Sequence, residues 1–129
     1  MPGRGSPLLS GAAAQKGPIL EDAMPKYLCE ARYTAKGAKG MEKEGGSSRR
    51  KAVEKHLAQV GGKLEAMYFA FGDVDCYVIV DLPDNVSAAA LAFAVNESGE
   101  IMTKTVVLLT SEEIDRAVKK KIKFRAPGR

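Results

Sequence analysis

The segment Lys63–Leu82, KLEAMYFAFGDVDCYVIVDL, decides the fold of this chain. Its two halves are runs rich in aromatic and β-branched residues, and the turn sequence Gly72–Asp75 separates them. In both halves apolar residues occupy both alternating faces, so that Tyr77 and Val78 point to opposite sides of the strand. Helices can cover only one face of an open sheet, and a face exposed to water would carry polar residues. We therefore expect a hairpin in a sheet whose second face is also covered.

The regions on either side of this hairpin extend the pattern into a β-α-β-β-α-β order. The predicted elements are strands over 26–33, 63–71, 76–82 and 100–109 and helices over 34–43, 49–60, 86–97 and 111–121. Helix starts are indicated by Thr34, by Asp84 or Asn85, and by a capping box of Thr110 and Glu113. Right-handed crossovers turn this order into an antiparallel sheet of strand order 4-1-3-2 with helices on one face. The predicted fold class is α+β, ferredoxin-like, with an added C-terminal helix.

The second face of this sheet needs a cover that the helices of the same chain do not provide. A second copy of the protein is the simplest one, since it carries the same apolar face. We therefore expect a homodimer, or a higher homo-oligomer, packed sheet to sheet.

The two ends of the chain differ from the part between them. Residues 1–23 contain repeated glycine and proline without usable periodicity, which predicts a disordered extension before a domain over 24–121. Lys119–Arg129 carries six cations and no acid, more than the net charge of +4 of the whole chain. The basic character thus belongs to the C-terminal end of the chain, which includes a basic tail over 122–129, and not to a domain face, so we do not expect a nucleic-acid partner.

Several residue types that often carry chemistry are scarce. No apolar run approaches the roughly 20 residues that span a bilayer, and no secretory signal is present, so we expect a bacterial-type cytoplasmic protein without a membrane partner. Cys29 and Cys76 lie in apolar strand patterns that favour reduced core thiols, although a redox pair stays open if they share a face at close range. His56 is the only histidine and cannot build a zinc site by itself. We expect no metal and no cofactor.

Segments spread over most of the chain resemble the GYD-domain family of small bacterial proteins. They are residues 24–28 (MPKYL), Gly45-Gly46 with Arg49-Arg50, 69–75 (FAFGDVD), 81–85 (DLPDN) and 103–105 (TKT). The tripeptide that names the family would fall at 72–74, where Val74 stands in place of an aromatic residue. The resemblance implies the dimeric α/β-barrel superfamily, which agrees with the two-sided strands. Its members include enzymes, haem proteins and ligand-sensing domains, so the resemblance implies no single function.

Charged and phenolic residues on the second face of the sheet form the first candidate site. By alternation these residues are Glu30, Arg32, Tyr77, Asp81 and Lys104. The predicted strand order brings them to one half-buried surface, where charges need partners or a ligand. They are candidates for a pocket that orients an acidic or phenolic small molecule. Ion pairs at a dimer edge are the alternative.

The start of the second predicted helix is the other candidate site. Free amides at a helix start attract anions, and the anion-binding candidates are Gly45, Gly46, Ser47, Ser48, Arg49 and Arg50. A flexible connector before a solvated helix face is the alternative interpretation.

These features favour a non-catalytic small-ligand-binding or assembly module. The alternative is a cofactor-independent oxidoreductase or isomerase, in which Arg32, Tyr77, Asp81 and Lys104 orient the substrate or transfer protons. No evident base that titrates near neutrality accompanies them, which counts against catalysis. The effector domain of a regulator is a third class, but it would need a separate DNA-binding partner.

Overall fold

The computed structural model describes residues 24–129, and the predicted extension over 1–23 lies outside the described residues. The strands are β1 (Lys26–Tyr33), β2 (Lys63–Phe69), β3 (Cys76–Asp81) and β4 (Ile101–Leu108). The helices are α1 (Ala35–Glu44), α2 (Gly46–Ala58), α3 (Asn85–Glu97) and α4 (Ser111–Lys119). Within the described part, no helix is long and apolar enough to cross a bilayer.

All four strands form one antiparallel sheet in the order β2-β3-β1-β4. This order confirms the predicted topology and the ferredoxin-like class. β1 lies at the centre and pairs with β4 along its whole length, from Lys26 to Tyr33. The first crossover contains both α1 and α2, and the second contains α3.

A β-bulge in β2 changes the face that Leu64 occupies. Leu64 and Ala66 pair with consecutive residues of β3, so Glu65 is the extra residue of the bulge. Strict alternation along the sequence predicts that Leu64 shares a face with Ala66, and the bulge makes that prediction wrong. The bulge instead puts Leu64 on the face of Met67, where it packs against the core.

Local capping determines where three of the helices begin. The side chains of Thr34 and Asp84 accept hydrogen bonds from the amides of Gly37 and Ser87, at 3.3 and 2.8 Å. At the start of α4, Thr110 forms a capping box with the third residue of the helix. These caps satisfy amides that have no partner within the helix, and they confirm the predicted starts.

The junction between α1 and α2 is shorter than predicted. The sequence favours a break over 45–48 and a helix from about Arg49, but α2 begins at Gly46. The turn is made by Gly45 alone, whose φ of +85° is accessible to glycine without strain. Its amide also donates to the carbonyl of Met41 at 2.8 Å, which closes α1.

The core lies between the sheet and the helices that cover one of its faces. Tyr27 is fully buried at the centre, and its hydroxyl donates to Oδ1 of Asn85 at 2.6 Å, which joins β1 to the start of α3. The other buried core residues are Ala31, Leu57, Met67, Cys76, Val78, Val80, Leu82 and Ala88.

The C-terminal helix α4 has a different environment. None of its residues is buried, and the apolar side chains of Ile114 and Val118 are exposed one turn apart on the same side. Glu112 and Glu113 at its start and Arg116 and Lys119 at its end suit the helix dipole. Its caps and charges therefore contribute much of its local stabilisation, since no fully buried side chain anchors it.

Candidate functional site

The face of the sheet that points away from the helices is called the open face here. Its residues are Lys26, Leu28, Glu30 and Arg32 of β1, Lys63, Ala66 and Tyr68 of β2, Tyr77, Ile79 and Asp81 of β3, and Met102, Lys104, Val106 and Leu108 of β4. Tyr68 is 71% exposed and Tyr77 40% exposed. Large apolar side chains on this face thus meet water in the single chain.

Three of the five candidate pocket residues form one row across the open face. Glu30 pairs with Tyr77 on one side and with Lys104 on the other. Tyr68, which sequence reasoning did not include, extends the row by pairing with Tyr77. Residues that are directly opposite in an antiparallel pair have neighbouring side chains. The row therefore offers two phenols, a carboxylate and an ammonium group along one line.

The other two candidates lie away from this row. Arg32 is two residues further along β1, opposite Met102. Asp81 is at the other end of the sheet, where it pairs with Lys26. Since a strand rises about 3.4 Å per residue, Asp81 lies roughly 13 Å from Tyr77 along β3. The structure does not bring Asp81 into one pocket with the row.

Asp81 instead takes part in an ion-paired cluster with Lys26. The ammonium group of Lys26 donates to Oδ1 of Asp81 at 2.8 Å and to Oε1 of Glu65, the bulge residue, at 2.5 Å. The hydrogen bond to Asp81, and to a smaller extent the one to Glu65, raise the pKa of Lys26 from 10.5 to about 12. The cluster ties the bulge of β2 to the central strand.

We expect Lys26→Met to lower the free energy of unfolding at neutral pH by at most about 1 kcal/mol, because the pairs are partly exposed to solvent. A raised pKa means that the stabilisation is complete below pH 10.5 and is lost as the pH rises through about 12. Urea unfolding of both proteins across this range measures the effect. The difference between them should shrink towards pH 12; a difference that stays constant would contradict an electrostatic origin.

The anion-binding candidates at the start of α2 do not all point the same way. Arg50 pairs with Glu54 at 3.7 Å on the exposed side of the helix, and Ser47 and Ser48 are exposed. Arg49 is half-buried, points towards the helix-covered side of the sheet and pairs with Glu44 at 3.8 Å. The two arginines thus already have acidic neighbours, and only Arg49 faces a concave surface.

The turn over 72–75 has a structural use. The carboxylate of Asp75 accepts a hydrogen bond from the amide of Tyr33 at 2.8 Å, and the amide of Asp75 donates to the carbonyl of Ala31 at 2.9 Å. The turn is thereby fastened to the end of β1. Within residues 24–129, no group of three or more His, Cys, Asp or Glu side chains is arranged to hold a metal ion.

A cleft on the helix-covered side of the sheet separates α2 from α3. Its deep part, of about 110 Å³, has a floor of β-strand residues that includes Cys29, Val78 and Thr103. Its outer part, of about 440 Å³, continues between the two helices towards Ser98. Both parts are bordered by Arg49 and His56 of α2 and by Leu91, Val95 and Ile101. The cleft is therefore one continuous groove with an apolar floor and a polar rim.

The ionisable groups of the floor are held in their neutral forms. Burial raises the pKa of Tyr33 to about 12. Burial also raises the pKa of the Cys29 thiol and that of the Cys76 thiol, although a hydrogen bond with Tyr33 and the charge of Arg49 lower the latter in part. Both cysteines are free and lie on the helix-covered face, offset by two residues on neighbouring strands. At neutral pH the floor carries no charge and no thiolate.

The comparison with known families agrees with the resemblance seen in the sequence. Residues 27–118 match the model of the GYD domain, a span that runs from β1 into α4. The chain belongs to the GYD-domain family. No curated protein and no solved structure matches it. The cleft and, apart from Lys26, the open face lie within the matched part of this GYD domain.

The cleft of this GYD domain was not predicted from the sequence. A signal for it exists in α3, where Ala88 and Ala92 stand on the side that faces the sheet. Small side chains at these positions leave space that leucines would fill. His56, which the sequence shows only as a single histidine, lies at the rim of that space.

Proposed function

We propose that this GYD-domain protein is a non-catalytic module that functions as a homodimer, with the open faces of two copies packed against each other. The observation that carries the proposal is the exposure of the large side chains of Tyr68, Tyr77, Met102 and Val106 on the open face of the sheet. Removing apolar surface of this kind from water lowers the free energy of the system, so its burial against a second copy is favourable.

The charges of the open face suit a contact between identical copies. Glu30 lies beside Lys104 and near Arg32, and none of the three takes part in an ion pair within residues 24–129. In a two-fold dimer a residue i of one copy contacts a residue j of the other, and the reverse. Glu30 of one copy can therefore meet a cation of its partner, so that acids and bases are both neutralised.

The size of the sheet indicates that the interface extends beyond it. Four strands about 4.8 Å apart and about 25 Å long give a footprint of roughly 500 Å², whereas a stable interface buries about 800 Å² per partner. The exposed apolar side chains of α4, Ile114 and Val118, follow directly after β4 at the edge of the sheet. We include α4 in the proposed interface for this reason.

The non-catalytic part of the proposal is supported by the chemistry of the ionisable groups. The phenol of Tyr33 has a pKa of about 12 and both thiols have raised pKa values, so none of them is a base or nucleophile near neutral pH. An oxidoreductase or isomerase that used the cleft would therefore depend on groups at its rim, such as His56, and not on its floor.

Sedimentation velocity of the full chain at micromolar concentration tests the proposal. We expect a dimer for the native protein and a dissociation constant at least about a hundredfold higher for Tyr77→Lys, because the new charges would be buried in the interface. In the single chain the introduced ammonium group would lie beside Glu30, so the fold should be kept, which circular dichroism checks.

Phe93→Lys is the matched control. Phe93 is 76% exposed on α3, away from the open face, so its replacement should leave the dimer intact. A monomeric native protein, or a loss of association in Phe93→Lys but not in Tyr77→Lys, would exclude the proposed interface.

A further inference from the structure

Three hollows on the helix-covered side of the domain meet at one arginine. A third hollow, of about 120 Å³, lies beside α1 and adjoins the deep and outer parts of the cleft. Arg49 and Ile101 border all three. Arg49 is thus the cation around which this concave surface is arranged, and it lies on the side of the sheet opposite to the proposed dimer interface.

Few acceptor groups among the described residues contact the N–H donors of the Arg49 guanidinium group. Its one ion pair within residues 24–129 is the contact with Glu44, whose 3.8 Å separation is longer than a hydrogen bond. Its charge nevertheless reaches the floor, since it opposes the rise in pKa of both Tyr33 and Cys76. A guanidinium group has five N–H donors in a planar fork that matches a carboxylate. The arrangement leaves this fork available at the junction of the hollows.

The space beside Arg49 is shaped for an apolar body. The deep part is lined mainly by apolar side chains, among them Val53, Leu57, Val78, Ala88, Leu91 and Ala92. An apolar cavity of about 150 Å³ holds a benzene ring, so the deep part, of about 110 Å³, accommodates a ring that extends into the outer part. The outer part leaves room for a second ring or a short chain.

We propose that this cleft binds a small organic monoacid, with its carboxylate on Arg49 and its flat apolar body between the sheet and α3. His56, two turns further along α2 than Arg49, borders the same cleft and offers a polar contact to a substituent on the apolar body. Glu44 and Glu100 border the hollows on the other side of Arg49. Their negative charges repel a dianion such as a phosphate monoester more strongly than they repel a single carboxylate.

A pair of probes that differ only in charge tests the proposal. Naphthalene-2-carboxylate and its neutral amide, naphthalene-2-carboxamide, are titrated into the ¹⁵N-labelled full chain and followed by NMR. We expect the carboxylate to bind more tightly than the amide and to shift the amide signals of α2 and α3 around His56, Leu91 and Val95. Shifts confined to the open face, or no binding of the carboxylate at millimolar concentration, would overturn the proposal.

Two pairs of variants separate the roles of charge and space. Arg49→Gln should weaken binding of the carboxylate at least about tenfold, as expected for charge-assisted hydrogen bonds, and leave binding of the amide unchanged. Arg50→Gln removes the neighbouring cation on the exposed side of α2 and should change neither. Equal losses in the two arginine variants would show that only the general charge of the domain matters and would overturn the proposal.

Ala92→Leu should weaken binding of both probes, because the longer side chain fills the deep part of the cleft. Ala89→Leu, on the exposed side of the same helix, is its control and should bind both as the native chain does. Native binding in Ala92→Leu would place the ligand elsewhere. Because the cleft and the open face lie on opposite sides of the sheet, failure of either proposal leaves the other intact.

Discussion

Gly37→Ala is expected to lower the free energy of unfolding by about 3 kcal/mol, at the upper end of overpacking substitutions. A Cβ atom at residue 37 would lie 2.1 Å from the carbonyl oxygen of Glu100, far inside van der Waals contact. That oxygen cannot move cheaply, because it accepts hydrogen bonds from the amide of Thr34 at 2.9 Å and from its hydroxyl at 3.2 Å. The substitution therefore separates α1 from the start of β4.

Gly40→Ala in the same helix is the control and should have the opposite sign. A Cβ atom at residue 40 meets no atom within 4 Å. Alanine lowers the conformational entropy of the unfolded chain and favours helix, so we expect a gain of about 0.5–1 kcal/mol. Urea denaturation of the three proteins at one fixed protein concentration measures both effects. Equal changes in the two variants would mean that the close approach of Gly37 to β4 is absent in solution.

Leu82→Ala is expected to cost about 2–5 kcal/mol of unfolding free energy, through lost transfer energy and the cavity that remains. Leu82 is 1% exposed. A Cβ atom added at Gly62 would lie 2.6 Å from Cδ2 of Leu82, so the two residues are packed in direct contact. The amide of Leu82 also donates to the carbonyl of Pro25 at 3.0 Å, which fixes its backbone. The site therefore has little freedom to collapse around the missing side chain.

The matched control for this substitution is Leu109→Ala. Leu109 is 59% exposed, and we expect a change within about 0.5 kcal/mol. The same urea titration applies, with the slope of the transition compared between variants to confirm that the native states are equally compact. A cost at Leu82 no larger than that at Leu109 would contradict the assignment of Leu82 to the core.

Much of the fold was predictable because its signals are local. The bounds of β1 follow from the alternation of Tyr27, Cys29 and Ala31 with a face that carries Glu30 and Arg32. The starts of α1, α3 and α4 follow from their capping residues. The strand order needed only the handedness of the crossovers. Each of these inferences uses residues that are close together along the chain.

The features that could not be predicted depend on register and volume. The bulge at Glu65 shifts Leu64 to the other face, and no residue in β2 marks its position in advance. Among the candidate pocket residues, Glu30 and Tyr77 are neighbours, but Asp81 is displaced along the strand and paired with Lys26. The cleft arises because α2 and α3 stand apart, a distance that alternation and helical periodicity do not contain.

The nine residues of α4 have a consequence for how the protein would behave on dilution. A helix of this length is marginal in water even with good caps, because nucleation costs more than a few hydrogen bonds return. With no residue buried, α4 has little packing energy within the described chain. If α4 lies in the dimer interface as proposed, its helix–coil transition and the association of two chains form a single linked equilibrium. Helix content at the C-terminus then becomes a function of protein concentration, and dilution alone releases this segment and the basic residues that follow it.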